Sequence, residues 1–273
     1  MLFRSIKPQL TKEGILVDKS TGIPRICLPK DYRFTEFERL HGFCHSGANS
    51  TILTMTSKYV WPRMKSEIRK WCKFCQNCHS NKIYRHTKSK LGTLPDRGKF
   101  KVIHIDLVGP LPMINGKNFL FTIIDRETSW TEAIPLKDIN SEAICRVLRK
   151  EWISRFGAPE IVVSDNGRQF IGSTFQQLCQ DYGIEHRHTT TYHPQCNGKV
   201  ERFHRTLKDA LRAHAINAER SWTEDLPDVL LGIRNATNDE TQLSPSQTTF
   251  GTTIRLTGDI IIPSISEDKS DST

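Results

Sequence analysis

The chain has 273 residues, 37% of them hydrophobic, with 39 lysines and arginines against 30 acids and a net charge of +9. That length holds one large domain and a small one, and the basic balance fits a polyanionic partner, nucleic acid first. No run approaches a membrane-spanning length and MLFRSIKPQL carries no secretory pattern, which argues against membrane and secreted classes; the eight cysteines are then expected as metal ligands or buried thiols, in the nucleus or cytoplasm.

Residues 1–33 are expected as a lead-in hairpin, because EGILVD and PRICLP are strand-like runs around the turn KSTG. Residues 34–82 become helical. Phe37, Leu40 and His41 recur at helical spacing, SGANSTILTMTSKY has a polar start suited to capping, and Pro62 fits a first helical turn ahead of Met64, Ile68, Trp71 and Cys72. His41 and His45 lie one turn apart, and Cys75 and Cys78 have two residues between them. Two imidazoles and two thiolates suit one closed tetrahedral Zn²⁺ site, which would stabilise a module too small to fold on its own core. Cys44, Cys72 and His79 stand beside the pairs as alternative ligands. Residues 83–99 read as a basic linker.

From residue 100 the pattern changes. VIHIDLVG, NFLFTIID and TEAIPLKD are three strands separated by the turn signals NGKN and RETS. SEAICRVLRKEWISRFG is an amphipathic helix with Ser141 as its expected cap and Gly157 as its stop. EIVVSD, a helix over STFQQLCQDYG, and EHRHTTT follow. Two longer helices come after these, NGKVERFHRTLKDALRAH and SWTEDLPDVLLGIRNA. A strand meander followed by alternating helices and strands predicts an α/β core with a mixed five-stranded sheet over 100–250. Residues 251–273 end in a polar stretch expected to be disordered.

Three acids in this core sit where chemistry is plausible. Asp106 lies on the first strand, Asp165 at the end of the fourth, and Glu201 in the first turn of the long helix. Taken singly, each has an ordinary reading: a strand end, an Asp-Asn-Gly turn, a helix residue paired with Arg205. Together they could hold two Mg²⁺ (or Mn²⁺) ions, since such ions take oxygen ligands and a close pair assists both the attacking and the leaving oxygen. Arg205 and Lys208, on a basic stripe below Glu201, are candidates for DNA contact. In the loop YHPQCNGK, His193, Gln195, Asn197 and Lys199 are candidates for DNA contact.

The segments IDLVGPLP, TIIDRETSW, WISRFGAPEIVVSDNGRQF, TTTYHPQCNGKVERFHRTLK and LPDVLLGIRNA closely resemble the integrase region of Ty3/gypsy-type LTR retrotransposon Pol polyproteins, which is related to retroviral integrases. The resemblance implies a ribonuclease H-like core behind a helical His-His-Cys-Cys zinc module. By motif it assigns divalent metal binding to Asp106, Asp165 and Glu201, and zinc binding to His41, His45, Cys75 and Cys78. The interval between the two histidines is shorter than in many gypsy-type members, which leaves His41 the least secure of these ligands. The implied activity is an integrase, a metal-dependent polynucleotidyl transferase that processes 3′ DNA ends and joins them to target DNA. The implied partners are DNA and further copies of the chain. A silent nucleic-acid-binding protein and a ribonuclease H-like nuclease are the alternatives. By the family pattern Asp125, in TIIDRETSW, is not a metal ligand.

Overall fold

The computed structural model describes residues 6, 8–11, 14–80, 97–188, 198–216, 221–239 and 241–256. Strands β1 (Pro8–Leu10), β2 (Leu16–Asp18) and β3 (Arg25–Cys27) pair antiparallel in order, and β3 pairs parallel with β4 (Tyr59–Val60). The turn between β2 and β3 is held by buried Asp18. Its carboxylate accepts from the Arg25 guanidinium at 2.7 Å and from the Ser20 hydroxyl at 2.8 Å. Because β4 lies between helices of the next segment, the lead-in hairpin is part of the helical module's own sheet. Helices α1 (Lys30–Gly42), α2 (Ala48–Thr56), α3 (Met64–Phe74) and α4 (Gln76–Ser80) complete that module around Phe37, Met55, Tyr59 and Ile68. Pro62 stands ahead of α3 rather than in its first turn, since Arg63 adopts a left-handed φ of 61° before the helix begins. The polar start of α2 supplies no side-chain cap.

The second sheet has the order β7-β6-β5-β8-β9. Strands β5 (Val102–Val108), β6 (Phe119–Asp125) and β7 (Thr131–Leu136) form the antiparallel meander. Strands β8 (Ile161–Ser164) and β9 (Glu185–His188) add in parallel on the other side of β5. Between β7 and β8, α5 (Ser141–Leu148) runs through a π-helical turn at Arg149–Ile153 into α6 (Ser154–Phe156), and stops at Gly157 with φ 85°. The cap is Asn140, whose side chain accepts from the Ala143 N–H at 2.9 Å. Ser141 instead donates its hydroxyl to the Gln169 carbonyl at 2.8 Å. Then come α7 (Arg168–Ile171), α8 (Ser173–Asp181), α9 (Gly198–Ile216), α10 (Trp222–Asn235) and α11 (Pro245–Phe250).

Successive side chains of a strand face opposite sides of its sheet. Ile103 and Ile105 of β5 therefore join Phe121, Ile123, Leu148, Trp152 and Phe175 in the core under α5 and α8. Val108 faces the other way. With Leu120 and Ile124 it packs against Val200, Phe203, Leu207 and Leu211, the apolar stripe of α9, and against α10. Asp106 and Thr122 are polar positions in that second face.

Residues 251–256, expected to be disordered, are instead packed on the fold. The Ile254 N–H donates to Asn235 Oδ1 at 3.1 Å, and Leu256 is buried in the core of the helical module beside Leu231. These apolar side chains have a surface to bury against, which a composition reading cannot see. Residues 257–273 lie outside the described residues, as do 81–96 of the linker. Among the described residues no helix is long and apolar enough to cross a membrane.

Candidate functional site

The module's four predicted ligands converge. His41 lies in the last turn of α1, His45 follows with φ 46°, and Cys75 and Cys78 flank the start of α4. One ligand atom from each can be chosen so that all four lie within 4.8 Å of one another. His45 Nδ1 is 3.5 Å from Cys75 Sγ and 3.6 Å from Cys78 Sγ, and His41 Nε2 is 3.2 Å from Cys78 Sγ. Nitrogen and sulfur ligands of one tetrahedral zinc stand about 3.5 Å apart, so the donor set fits the ion. Thr51 donates its hydroxyl to the backbone carbonyls of Ser46 and Gly47, so it accepts from His41 Nδ1 at 3.2 Å. That bond turns the bare Nε2 toward the sulfurs. Burial brings the His41 pKa down to about 3 and that of His45 to about 4, with the neighbouring imidazoles adding to both. Both rings are then neutral, as ligation requires. Cys44 is buried in the core under α9 and α10, and Cys72 stands 4.0 Å from Nδ1, on the ring edge turned away from the tetrad. The side chain of His79 lies outside the described residues.

Two of the three predicted acids stand at neighbouring strands of the sheet. Asp106 is on the central strand β5, on the face covered by α9, and Asp165 directly follows β8, the parallel neighbour of β5. Ligand sites of open α/β sheets form at such strand ends. The Leu107 N–H donates to Asp106 Oδ1 at 2.7 Å, and the Gly167 N–H to Asp165 Oδ1 at 3.0 Å. A Cβ at Gly167 would lie 2.2 Å from Gln169 Nε2 and 2.9 Å from that same oxygen, so any larger residue there would push both side chains aside. The Asp106 pKa is raised to about 6, chiefly by burial. The Leu107 N–H opposes the rise, the Asp165 charge adds to it, and Lys208 pulls it back. An Asp106 carboxylate whose charge the neighbouring Asp165 disfavours, with its Oδ2 left over, fits a divalent cation.

Helix α9 supplies the remaining groups. Glu201 is exposed in its first turn, Lys208 acts on Asp106 from two turns on, and His204 lies between them. His204 Nδ1 is 3.7 Å from Asp106 Oδ2, and its Nε2 is 2.8 Å from the Thr122 hydroxyl. Burial, then Lys208, lowers the His204 pKa to about 4. Arg205 is exposed and acts on Asp209. His193, Gln195 and Asn197 lie outside the described residues, as does the side chain of Lys199.

Sequence reading passed over His204, Thr122 and His188. His204 is three residues after Glu201, so helical spacing alone puts both on one face. Thr122 is paired with Asp106 across β5 and β6, a register that no local pattern announces. His188 ends β9 with Nδ1 3.4 Å from the Asp165 carbonyl.

Fold and site define a class: a mixed-sheet core with carboxylates at its central strands, bearing a His-His-Cys-Cys module seated on two of its helices. Comparison with known families gives the membership. Residues 28–84 match the integrase zinc binding domain, and residues 96–194 and 182–238 match the integrase core domain in two separate forms. The Pro-Pol polyprotein of simian foamy virus type 3 is 29% identical over 89% of this chain and 21% of its own length. The transposon Tf2-3 polyprotein of Schizosaccharomyces pombe is 25% identical over 86% of this chain and 18% of its own length. A chain of the simian T-cell lymphotropic virus intasome, solved with PP2A regulatory subunit B56 gamma, shares the fold. Its TM-score is 0.57 at 19% identity, over 87% of this chain and 78% of that one. This chain belongs to the integrases of retroviral and retrotransposon polyproteins, and spans about a fifth of the length of the curated polyproteins it matches.

Proposed function

We propose that the chain is a DNA integrase of the retrotransposon type, which trims the 3′ ends of linear DNA with water and joins the exposed 3′ hydroxyls to target DNA. The observation that carries this reading is that Asp106 and Asp165 stand at adjacent parallel strands, with the Asp165 charge acting on Asp106, beneath the helix whose first turn carries Glu201. Asp106 and Asp165 would hold Mg²⁺ or Mn²⁺, two ions in all, with Glu201 completing one shell. Bound there, such ions supply Lewis acidity to the attacking oxygen and offset charge on the leaving one.

The chain's own groups do the positioning. The Leu107 N–H fixes Asp106 by one oxygen and leaves Oδ2 to the site. The exposed Lys208 ammonium acts on that carboxylate through its charge and would meet an approaching DNA phosphate. The net charge of +9 favours DNA as the polyanion, with affinity falling as salt rises. Action on DNA as a homo-oligomer is part of this proposal.

A strand-joining assay with Mg²⁺ or Mn²⁺ tests this. Asp165→Asn should abolish joining while DNA affinity stays within about twofold. Equal loss of both overturns the assigned role. Cleavage of RNA–DNA hybrid without joining would mark a nuclease instead, and DNA binding without either reaction a silent binding protein.

A further inference from the structure

The Thr122 hydroxyl has a single hydrogen, and it is donated to the Asp106 backbone carbonyl at 3.0 Å. Toward His204 Nε2, at 2.8 Å, Thr122 can therefore only accept, so Nε2 carries the ring proton. A neutral imidazole has one N–H. His204 Nδ1 is then a bare lone pair, and it faces Asp106 Oδ2 across 3.7 Å. That separation is too long for a hydrogen bond, and two acceptors across a gap repel each other. Asp106 Oδ1 is already engaged by the Leu107 N–H, so Oδ2 is the oxygen left to the site. Two adjacent donor atoms bound to one ion at about 2.1 Å each stand about 3.0 to 3.4 Å apart, so an ion would draw Nδ1 and Oδ2 together by a few tenths of an ångström. The Thr122–His204 bond is of the kind that fixes the tautomer and ring of a metal-ligating histidine.

We infer that His204 is a nitrogen ligand of the cation held by Asp106, so that three carboxylates and one imidazole form the site. The inference rests on the proposed metal role of Asp106 and deepens it. An imidazole in the shell favours transition ions over Mg²⁺, which takes oxygen. This chain should then bind Mn²⁺ more tightly than an all-oxygen site would, with no corresponding gain for Mg²⁺.

The test uses the full chain with its zinc loaded, so that added Mn²⁺ goes to the carboxylates. Pulsed electron paramagnetic resonance reads a nitrogen bonded directly to Mn²⁺ as a ¹⁴N coupling. The coupling is expected in the unaltered protein and in His188→Asn, and is lost in His204→Asn. Thr122→Val, which frees the ring to take the other tautomer, should weaken Mn²⁺ binding about tenfold or more and Mg²⁺ binding far less. Mn²⁺ that Asp165→Asn displaces but that shows no ¹⁴N coupling would overturn the His204 assignment and leave the carboxylate site standing. A coupling that survives in His204→Asn would also overturn it. Absence of any Mn²⁺ binding sensitive to Asp165→Asn would remove both readings.

Discussion

Asp125 shows what a buried carboxylate looks like when its work is structural. One oxygen accepts from the Phe100 N–H at 2.9 Å, and the other accepts from the Thr128 N–H and hydroxyl, both at 2.7 Å. Both oxygens are committed to holding the β6–β7 turn and the entry to β5, whereas Asp106 keeps Oδ2 for the site. Asp125→Ala leaves three donors without their acceptor and should destabilise the protein by about 3 kcal/mol in urea unfolding. His186 gives a pH signature at the same scale. It is hydrogen-bonded to Ser164 at 2.8 Å, and its pKa is lowered to about 4, first by burial and then by His188. An unfolded histidine titrates near ~6.5. Between these values the unfolded chain binds the extra proton, so the contribution is full above pH 6.5 and is lost as pH falls toward 4. Unfolding free energies at pH 7 and pH 5 should differ less in His186→Gln than in the unaltered protein.

At the level of elements, α9 and α10 join the two modules. The His214 imidazole of α9 contacts the Gly42 carbonyl at 3.0 Å through Nε2, and its Nδ1 lies 3.6 Å from buried Asp225 of α10. The helix whose first turn carries Glu201 therefore ends against the loop that holds His45. Gly232 is the tightest point of this junction. A Cβ there would lie 2.6 Å from Phe43 Cβ and 3.0 Å from Cys44 Cβ, so only glycine lets α10 approach so closely. In sequence, Gly232 reads as a defect in an otherwise regular helix, because its reason lies in a segment almost two hundred positions away. Gly232→Ala should cost about 1–3 kcal/mol in denaturant unfolding, with zinc content per chain unchanged. The apolar stripe of α9 was legible because helical spacing is local. The π-helical turn at Arg149–Ile153 was not, since the same periodic pattern serves a regular helix.

Across the whole molecule, the small module's core and the main core are interlocked. Cys44 of the module packs under α9 and α10, while Leu231 and Leu256 pack into the module. Chelating zinc should accordingly do more than melt α1–α4. A zinc-free protein is expected to show lower cooperativity in thermal unfolding and faster amide exchange along the C-terminal half of α9, read by hydrogen-exchange mass spectrometry. Unchanged exchange in α9 would show that the two units melt independently.

The order of the core's strands and long helices and the spacing of the histidine and cysteine pairs were present in the linear chain. Each is written in local periodicity or in short motifs. The lead-in sheet's fourth strand, the Asn140 cap, the burial of Leu256 and the facing of His204 and Asp106 were decided only on folding. Each of these depends on which distant surface meets which. Cross-strand register and helix docking create such meetings through contacts whose partners have no fixed separation in sequence, so no window along the chain contains them.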